Sequence, residues 1–379
     1  MALIITEEQT MLKDSAKEFC KNRAPVSALR ILRDEKSTTG YDINVWKEMV
    51  EMGWTSLTIP EAYSGLDFGY VGLGQILEET GRTLTASPLF SNIVLGCTAI
   101  SQAADVTQKE KLLPAIASGE LVVTLAIDET NRHNPNKIST SATPTEEGYL
   151  INGKKVFVLD GHTAHQIIVV ARTSGEINDK EGLSLFLVDA KSEGVTIERT
   201  IMMDTRNAAT VTFGNVKVNA NNLLGEEGKA SPAIEKTLDI ARIGLSAEML
   251  GSTLEAFERT MTYLKERQQF GLTIGSFQAL QHRAAQMYSE IEICKTLVLQ
   301  SLQAIDTDAK ELSMLASMTK AKVSETIQLV SNEGIQMFGG IGMTDDEEIG
   351  FFLKRARVTQ QTLGDANFHL DRYAKMNGY

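Results

Sequence analysis

The chain has 379 residues, 42% of them hydrophobic, 23% charged and 6% aromatic, and 37 Lys and Arg against 49 Asp and Glu leave a formal charge of −12. At roughly 150 residues per domain this length allows two to three domains with cores of their own, which excludes disordered and fibrous classes. The acidic excess opposes sequence-independent binding to nucleic acid or to an anionic membrane, because the long-range field repels both.

The opening MALIITEEQT has no basic segment and turns acidic at once, so it does not read as a secretory signal. From Thr6 to Lys21 the pairs Met11/Leu12, Ser15/Ala16 and Phe19/Cys20 recur every four residues, which predicts an amphipathic helix starting near Thr6. Helical spacing continues over Val45–Met52, Val71–Arg82 and Gln108–Ala117, with Gly- and Pro-containing turns such as IPEAYSGLDFG between them. The run Ala86 to Ile100 is the most continuous apolar stretch, but Ser87, Pro88, Ser91 and Asn92 make it too short and too polar to cross a bilayer. Residues 1–120 therefore read as a helical domain.

At Leu121 the texture changes to short β-branched runs: VVTLAI, GYLINGKKVFVLDG, HQIIVVART, GLSLFLVDA, GVTIERT and ATVTFGNVKV. Turn residues separate them, which predicts an antiparallel β domain over 121–227. Beyond Gly228, Ile234, Leu238, Ala241, Leu245, Leu250, Leu254, Phe257, Met261 and Leu264 restore the helical period, followed by long patterns at Phe277–Ile305, Lys310–Phe338 and Glu347–Gly364. Residues 228–379 read as a helical bundle, so the fold class is α+β. Cys20, Cys97 and Cys294 are odd in number and far apart, which fits a reducing compartment; a cytoplasmic protein is expected.

Five strings in this order resemble the acyl-CoA dehydrogenase family along essentially the whole chain: EMGWTSLTIPEAYSGLDFG, NGKKVFVLDG, LLGEEGKA, YLKERQQFGLTIGSFQALQHRAAQM and IQMFGGIGMTDDEEI. The resemblance implies an N-terminal helical domain, a middle antiparallel β domain and a C-terminal four-helix bundle, FAD as cofactor, and dehydrogenation of an acyl-CoA to its trans-2-enoyl thioester. It implies FAD contacts at Arg267, Phe270, Gln278, Gln336, Gly339 and Gly340, some reached across a subunit interface, and at the strand Phe157–Val158–Leu159. Independently, an Arg at the end of a long helix can fork a diphosphate with parallel hydrogen bonds. The glycines of QMFGGIG do not follow a strand, so a Rossmann loop is excluded, although they permit close backbone approach to a ligand. Arg242 would line the acyl pocket, or pair within the bundle with Asp239 or Glu248. A homo- or heterotetramer and an electron-transfer flavoprotein as acceptor are implied partners; nucleic acid, membrane and metal are not.

Three departures from the family pattern stand out. Asp128–Glu129 keep the start of a flavin- and CoA-touching turn, but NRHNPNK replaces its small residues, which leaves open whether the thioester is carried by CoA or by a carrier protein. The two positions at which family members carry the proton-abstracting Glu hold Leu363 and Ala241, and neither side chain can accept a proton. Asp365 and Glu248 are the candidate replacements, with His369 behind them, each weighed against a capping or ion-pairing role. Finally, the tail LGDANFHLDRYA resembles subunits of heteromeric dehydrogenases acting on steroid side chains or other bulky acids, in which one subunit type carries the base. A non-catalytic flavin- or ligand-binding protein on the same fold is the alternative.

Overall fold

Residues 3–379 are described by the computed structural model. Thr6 starts the first helix, α1 (Glu7–Arg23), with a reciprocal capping box: its hydroxyl accepts from the Gln9 amide and the Gln9 side chain accepts from its own amide. Helices α2 (Val26–Asp34), α3 (Ile43–Glu51) and α4 (Tyr70–Arg82) follow. The apolar run flagged above is helical too: a π-helical segment, Phe90–Cys97, runs into α5 (Thr98–Ala103). Its polar residues are inward: Asn92 is fully buried and its Oδ1 accepts from the Val123 amide at 2.8 Å. Helix α6 (Val106–Ala117) is capped by Asp105. Among the described residues no helix is long and apolar enough to cross a membrane.

Eight strands, β1 (Val123–Ala126), β2 (Ser141–Pro144), β3 (Gly148–Leu159), β4 (Gln166–Arg172), β5 (Leu183–Asp189), β6 (Val195–Ile201), β7 (Asn207–Asn219) and β8 (Leu223–Leu224), form one sheet in the order β6-β7-β3-β2-β4-β5-β8. The sheet is not wholly antiparallel as expected: β1 pairs with β4 in parallel, and β2 touches β4 in parallel through Ser141 and Arg172. The β2–β3 hairpin lies between β1 and β4 in sequence, and the turn after β3 returns the chain to β1's direction. One face of these strands supplies a single core containing Ile151, Val158, Val169, Phe186, Val211 and Phe213. Burying side chains of this size stabilises by about 1.5–3 kcal/mol each.

The chain then runs through α7 (Ser231–Glu266), a hairpin of β9 (Gln268–Gln269) and β10 (Leu272–Thr273), and α8 (Gln278–Asp306), α9 (Leu312–Phe338), α10 (Ile349–Gln361) and α11 (Ala366–Met376). Compactness does not follow the three sequence segments. One unit gathers residues up to Glu35, Gly69–Thr85 and Arg242–Tyr379; the other gathers Lys36–Phe68 and Ala86–Ala241. The reason in the first unit is the crossing of α4 and α7. A Cβ on Gly81 would lie 2.0 Å from the Glu248 carbonyl oxygen, and one on Gly251 1.8 Å from that of Glu78. Only hydrogen at both positions lets the two backbones meet, and Ser252 seals the contact by donating to the Gly81 carbonyl at 2.9 Å. In the second unit the Thr55 hydroxyl donates to the Ala117 carbonyl at 2.7 Å, which ties the segment after α3 to the end of α6.

Candidate functional site

In the β unit, the strand expected to face a flavin ends in a bulge. Three steps along β3, from Lys155 to Val158, pair with two along β7, from Val211 to Ala209. The extra residue puts Phe157 at φ 57° with its ring 48% exposed, a left-handed conformation unusual for an aromatic residue. Val158 turns its side chain into the β core and offers a ligand only its backbone. Thr124 Oγ1 donates to the Leu159 carbonyl at 2.7 Å, which fixes the strand's end.

The rebuilt loop after β1 is held by two acids. Asp128 accepts from His133 Nδ1 at 2.9 Å and from the Asn134 amide at 3.3 Å. Glu129 accepts from the Ser139 amide and hydroxyl, from the Thr140 amide at 2.9 Å and from Lys155 Nζ at 2.8 Å. Burial acts to raise the Glu129 pKa, but the charge and hydrogen bond of Lys155, together with Ser139 and Thr140, overcome it and hold the carboxyl at about 2. Lys155 is fully buried, and burial draws it down to about 8 against the pull of Glu129, so the pair is ionised at neutral pH. Of this pin the sequence pointed to Glu129 but not to Lys155, which is adjacent to the exposed Lys154.

In the helical unit, α7 ends at Glu266 and exposed Arg267 leads into the β9–β10 hairpin. Phe270 (φ 57°) and Gly271 (φ 77°) form its two-residue turn, with both central φ values positive as tight hairpins require. Phe270 is 87% exposed, and its ring meets that of Phe277 edge to face with centroids 6.2 Å apart. Gln278 is the exposed first residue of α8. At the end of α9, Gln336 is exposed, and a Cβ on Gly339 or Gly340 would meet nothing within 4 Å. The Tyr263 ring stacks on Phe338 at 4.3 Å, so the ends of α7 and α9 lie side by side. Arg267, Phe270, Gln278, Gln336, Gly339 and Gly340 are thus presented outward from one end of the helical unit.

The turn between α10 and α11 holds Leu363, buried and at φ 60°, followed by Gly364 at φ 103°. Left-handed backbone costs a non-glycine residue about 1–2 kcal/mol. Three side chains hold it there. Fully buried Arg242 donates Nε to the Leu363 carbonyl at 3.4 Å, and its guanidinium lies over the Phe368 ring at 5.6 Å. Buried His369 meets the same carbonyl through Nε2 at 3.0 Å, so that nitrogen carries the proton. Lys320 Nζ donates to the Gly364 carbonyl at 3.0 Å.

Both candidate replacement bases have other work. Asp365 accepts from the Phe368 amide at 2.8 Å and caps α11; Arg372 donates instead to the Ser313 carbonyl and the Ser317 hydroxyl. Glu248 is buried and accepts from Arg355 through Nε at 3.1 Å and Nη2 at 2.7 Å. In this structure Asp365 therefore serves as a helix cap and Glu248 as the ion-pair partner of Arg355. His369 is likewise occupied by the turn.

Sequence models of the acyl-CoA dehydrogenase N-terminal, middle and C-terminal domains match residues 6–120, 126–216 and 231–376. A solved variant of the Tcur3481-Tcur3483 steroid ACAD is 31% identical over 98% of both chains, with a TM-score of 0.88. The chain belongs to the acyl-CoA dehydrogenase family. Butyryl-CoA dehydrogenase from Megasphaera elsdenii is 26% identical over the full length of both chains, with a TM-score of 0.91. Mitochondrial isovaleryl-CoA dehydrogenase from Arabidopsis thaliana is 27% identical over 94% of this chain and 88% of its own.

The cofactor of acyl-CoA dehydrogenases is FAD, and the donor set here fits it. An exposed guanidinium at a helix end suits a diphosphate, two exposed glutamines suit adenosine, and the bare Gly339–Gly340 backbone leaves room for close approach. What the sequence concealed is Lys320. It falls on the apolar stripe of α9 with Ala316, Val323 and Ile327, and a charge within such a stripe is the signal that could have found it.

Proposed function

We propose that this chain is an FAD-binding acyl-CoA dehydrogenase subunit that takes part in α,β-dehydrogenation of an acyl-CoA to the trans-2-enoyl-CoA, as the base-less member of a heteromeric assembly. One observation carries the proposal: Leu363 occupies a fully built turn while Asp365 and Glu248 are committed elsewhere. A chain without a free carboxylate at the turn cannot remove the α-proton itself, so a partner subunit supplies the base. The steroid ACAD named as the pair Tcur3481-Tcur3483 supports this direction. When bound, FAD supplies the acceptor for the hydride leaving the β-carbon. Arg267 would hold its diphosphate, Phe270 would cover an apolar part of it, and Gln278, Gln336, Gly339 and Gly340 would serve the adenosine side. Phe157 and the backbone of Val158 and Leu159 are the β unit's contribution to the ring, and Arg242 borders the acyl group. The assembly is a heterotetramer, its acceptor an electron-transfer flavoprotein, and its compartment the cytoplasm.

The missing base equally suits a non-catalytic flavin- or ligand-binding protein on this fold. The two readings separate on the visible spectrum of the purified chain, alone and co-expressed with the product of the adjacent gene, during anaerobic titration with butyryl-CoA, isovaleryl-CoA and a steroid side-chain CoA ester. Bleaching only in the co-expressed complex is expected. Full bleaching by the chain alone overturns the base-less role, and stable yellow color in every preparation favors the binding protein.

A further inference from the structure

Lys320 is a lysine with no solvent exposure whose hydrogen bonds go to a hydroxyl and to backbone carbonyls. From the middle of α9 its ammonium donates to Ser324 Oγ at 3.2 Å and to three carbonyls: Thr359 at 3.0 Å, Gln360 at 3.3 Å and Gly364 at 3.0 Å. The first two carbonyls belong to the last turn of α10, where helical partners run out, and the third closes the turn that follows. One cation therefore ties the end of α10 to the far side of the Leu363 turn. Arg242 and His369 hold the near side through the Leu363 carbonyl. A Cβ at position 364 would lie 2.4 Å from Phe368, so only glycine fits this position of the turn. Keeping a buried cation and a left-handed leucine together is costly on both counts, and such features persist where the surroundings over-determine them.

We propose that Lys320 is a positioning residue: its ammonium fixes the Leu363–Gly364 turn so that the side chain at position 363 is delivered in one direction, whichever residue stands there. The scaffold for a base is thus intact in this chain, and only the terminal group is absent. The inference rests on the reading of position 363 given under Proposed function. Lys320 touches neither substrate nor cofactor in this account; it acts through the turn.

The test uses the full chain loaded with FAD, in four forms: Leu363→Glu, Lys320→Met, the double variant, and Leu363→Glu with Lys320→Arg. Amide hydrogen exchange over Thr362–His369 reports the turn, and anaerobic bleaching by butyryl-CoA and isovaleryl-CoA reports delivery of the carboxylate. Lys320→Met is expected to speed exchange of these amides at least tenfold while β3 is unchanged. Leu363→Glu is expected to bleach, and adding Lys320→Met to lower the saturating bleaching rate at least a hundredfold with the half-saturating concentration unaltered. Lys320→Arg keeps the charge but not the compact four-acceptor geometry; it should recover part of the rate, and it carries the exchange test if the Met variant does not fold. Unchanged turn protection in both Lys320 variants overturns the proposal. A loosened turn in Lys320→Met beside an FAD-loaded Leu363→Glu that never bleaches upholds Lys320 and overturns position 363 as the seat of a base.

Discussion

The Glu248–Arg355 pair offers the most direct test of whether a carboxylate in the helical core is structural or chemical. The two side chains are 4% and 10% exposed and 2.7 Å apart, so neither can be re-solvated when the other is removed. Arg355→Met leaves an ionised carboxylate buried beside a hydrophobic side chain, which costs about 3–5 kcal/mol. Replacing both, as Glu248→Met with Arg355→Met, removes the charge altogether and should restore stability to within about 1 kcal/mol of the parent. With a guanidinium m value of roughly 5 kcal/mol/M for a chain of this size, the single variant should lower the unfolding midpoint by roughly 0.6–1 M and the double variant should recover it. Circular dichroism follows the helices. The same double variant, assembled with a base-bearing partner, should keep its flavin bleaching. A single variant costing less than about 1 kcal/mol, or a double variant as damaged as the sum of the singles, would refute the buried-pair account. Loss of bleaching in a stable double variant would return Glu248 to the chemistry.

Arg267→Ala should weaken FAD binding by roughly tenfold to a hundredfold, the loss of one charge-assisted fork, read as FAD retained after gel filtration, with little change in stability because the side chain is exposed. Gly251→Ala should prevent accumulation of folded protein or lower its melting temperature sharply, because its Cβ would sit 1.8 Å from the Glu78 carbonyl oxygen; a normal melting curve would contradict the helix crossing. Burial, then the nearby Arg242 charge, lower Lys320 to about 7 in the folded chain against the opposing pull of Asp365, whereas an unfolded lysine titrates near 10.4. Between those values the unfolded chain holds the extra proton, so parent stability relative to Lys320→Met should rise with pH, by about 1.4 kcal/mol per unit between pH 8 and 9. His369, Asp365 and Arg242 border the same turn. A flat difference would show that Lys320 stays charged.

Local chemistry was legible wherever it was self-contained. The four-residue apolar spacing beyond Thr6 marked α1, and the β-branched run in GYLINGKKVFVL marked β3. The family strings located the outward-facing Arg267 and Gly339 and showed that Leu363 cannot act as a base. What escaped depended on distant partners. The nine-residue α2 begins at Pro25 without a side-chain cap, so no local signal announces it. Ser91 and Asn92 read as interruptions of an apolar run because their partners, Asp160 and Val123, lie 69 and 31 residues away. Nothing adjacent in sequence separates buried Lys320 from half-buried Lys322 or buried Lys155 from exposed Lys154; for Lys320 only its helical spacing with Ala316, Val323 and Ile327 does so, and for Lys155 only packing. The parallel β1–β4 pair is equally a matter of topology.

The interleaving of the two units has a consequence for how the chain is made. The helical unit needs Gly69–Thr85 and Arg242–Tyr379 together, and 156 residues separate those segments. At about 5–20 residues per second, α4 emerges from the ribosome roughly 8–30 s before the glycine surface of α7 that it must meet. The β unit, whose sequence fills that gap from Ala86 to Ala241, is complete first. The N-terminal helices therefore wait with their apolar stripes uncovered. In an assembly of two chain types, that interval is when each chain most needs protection from aggregation.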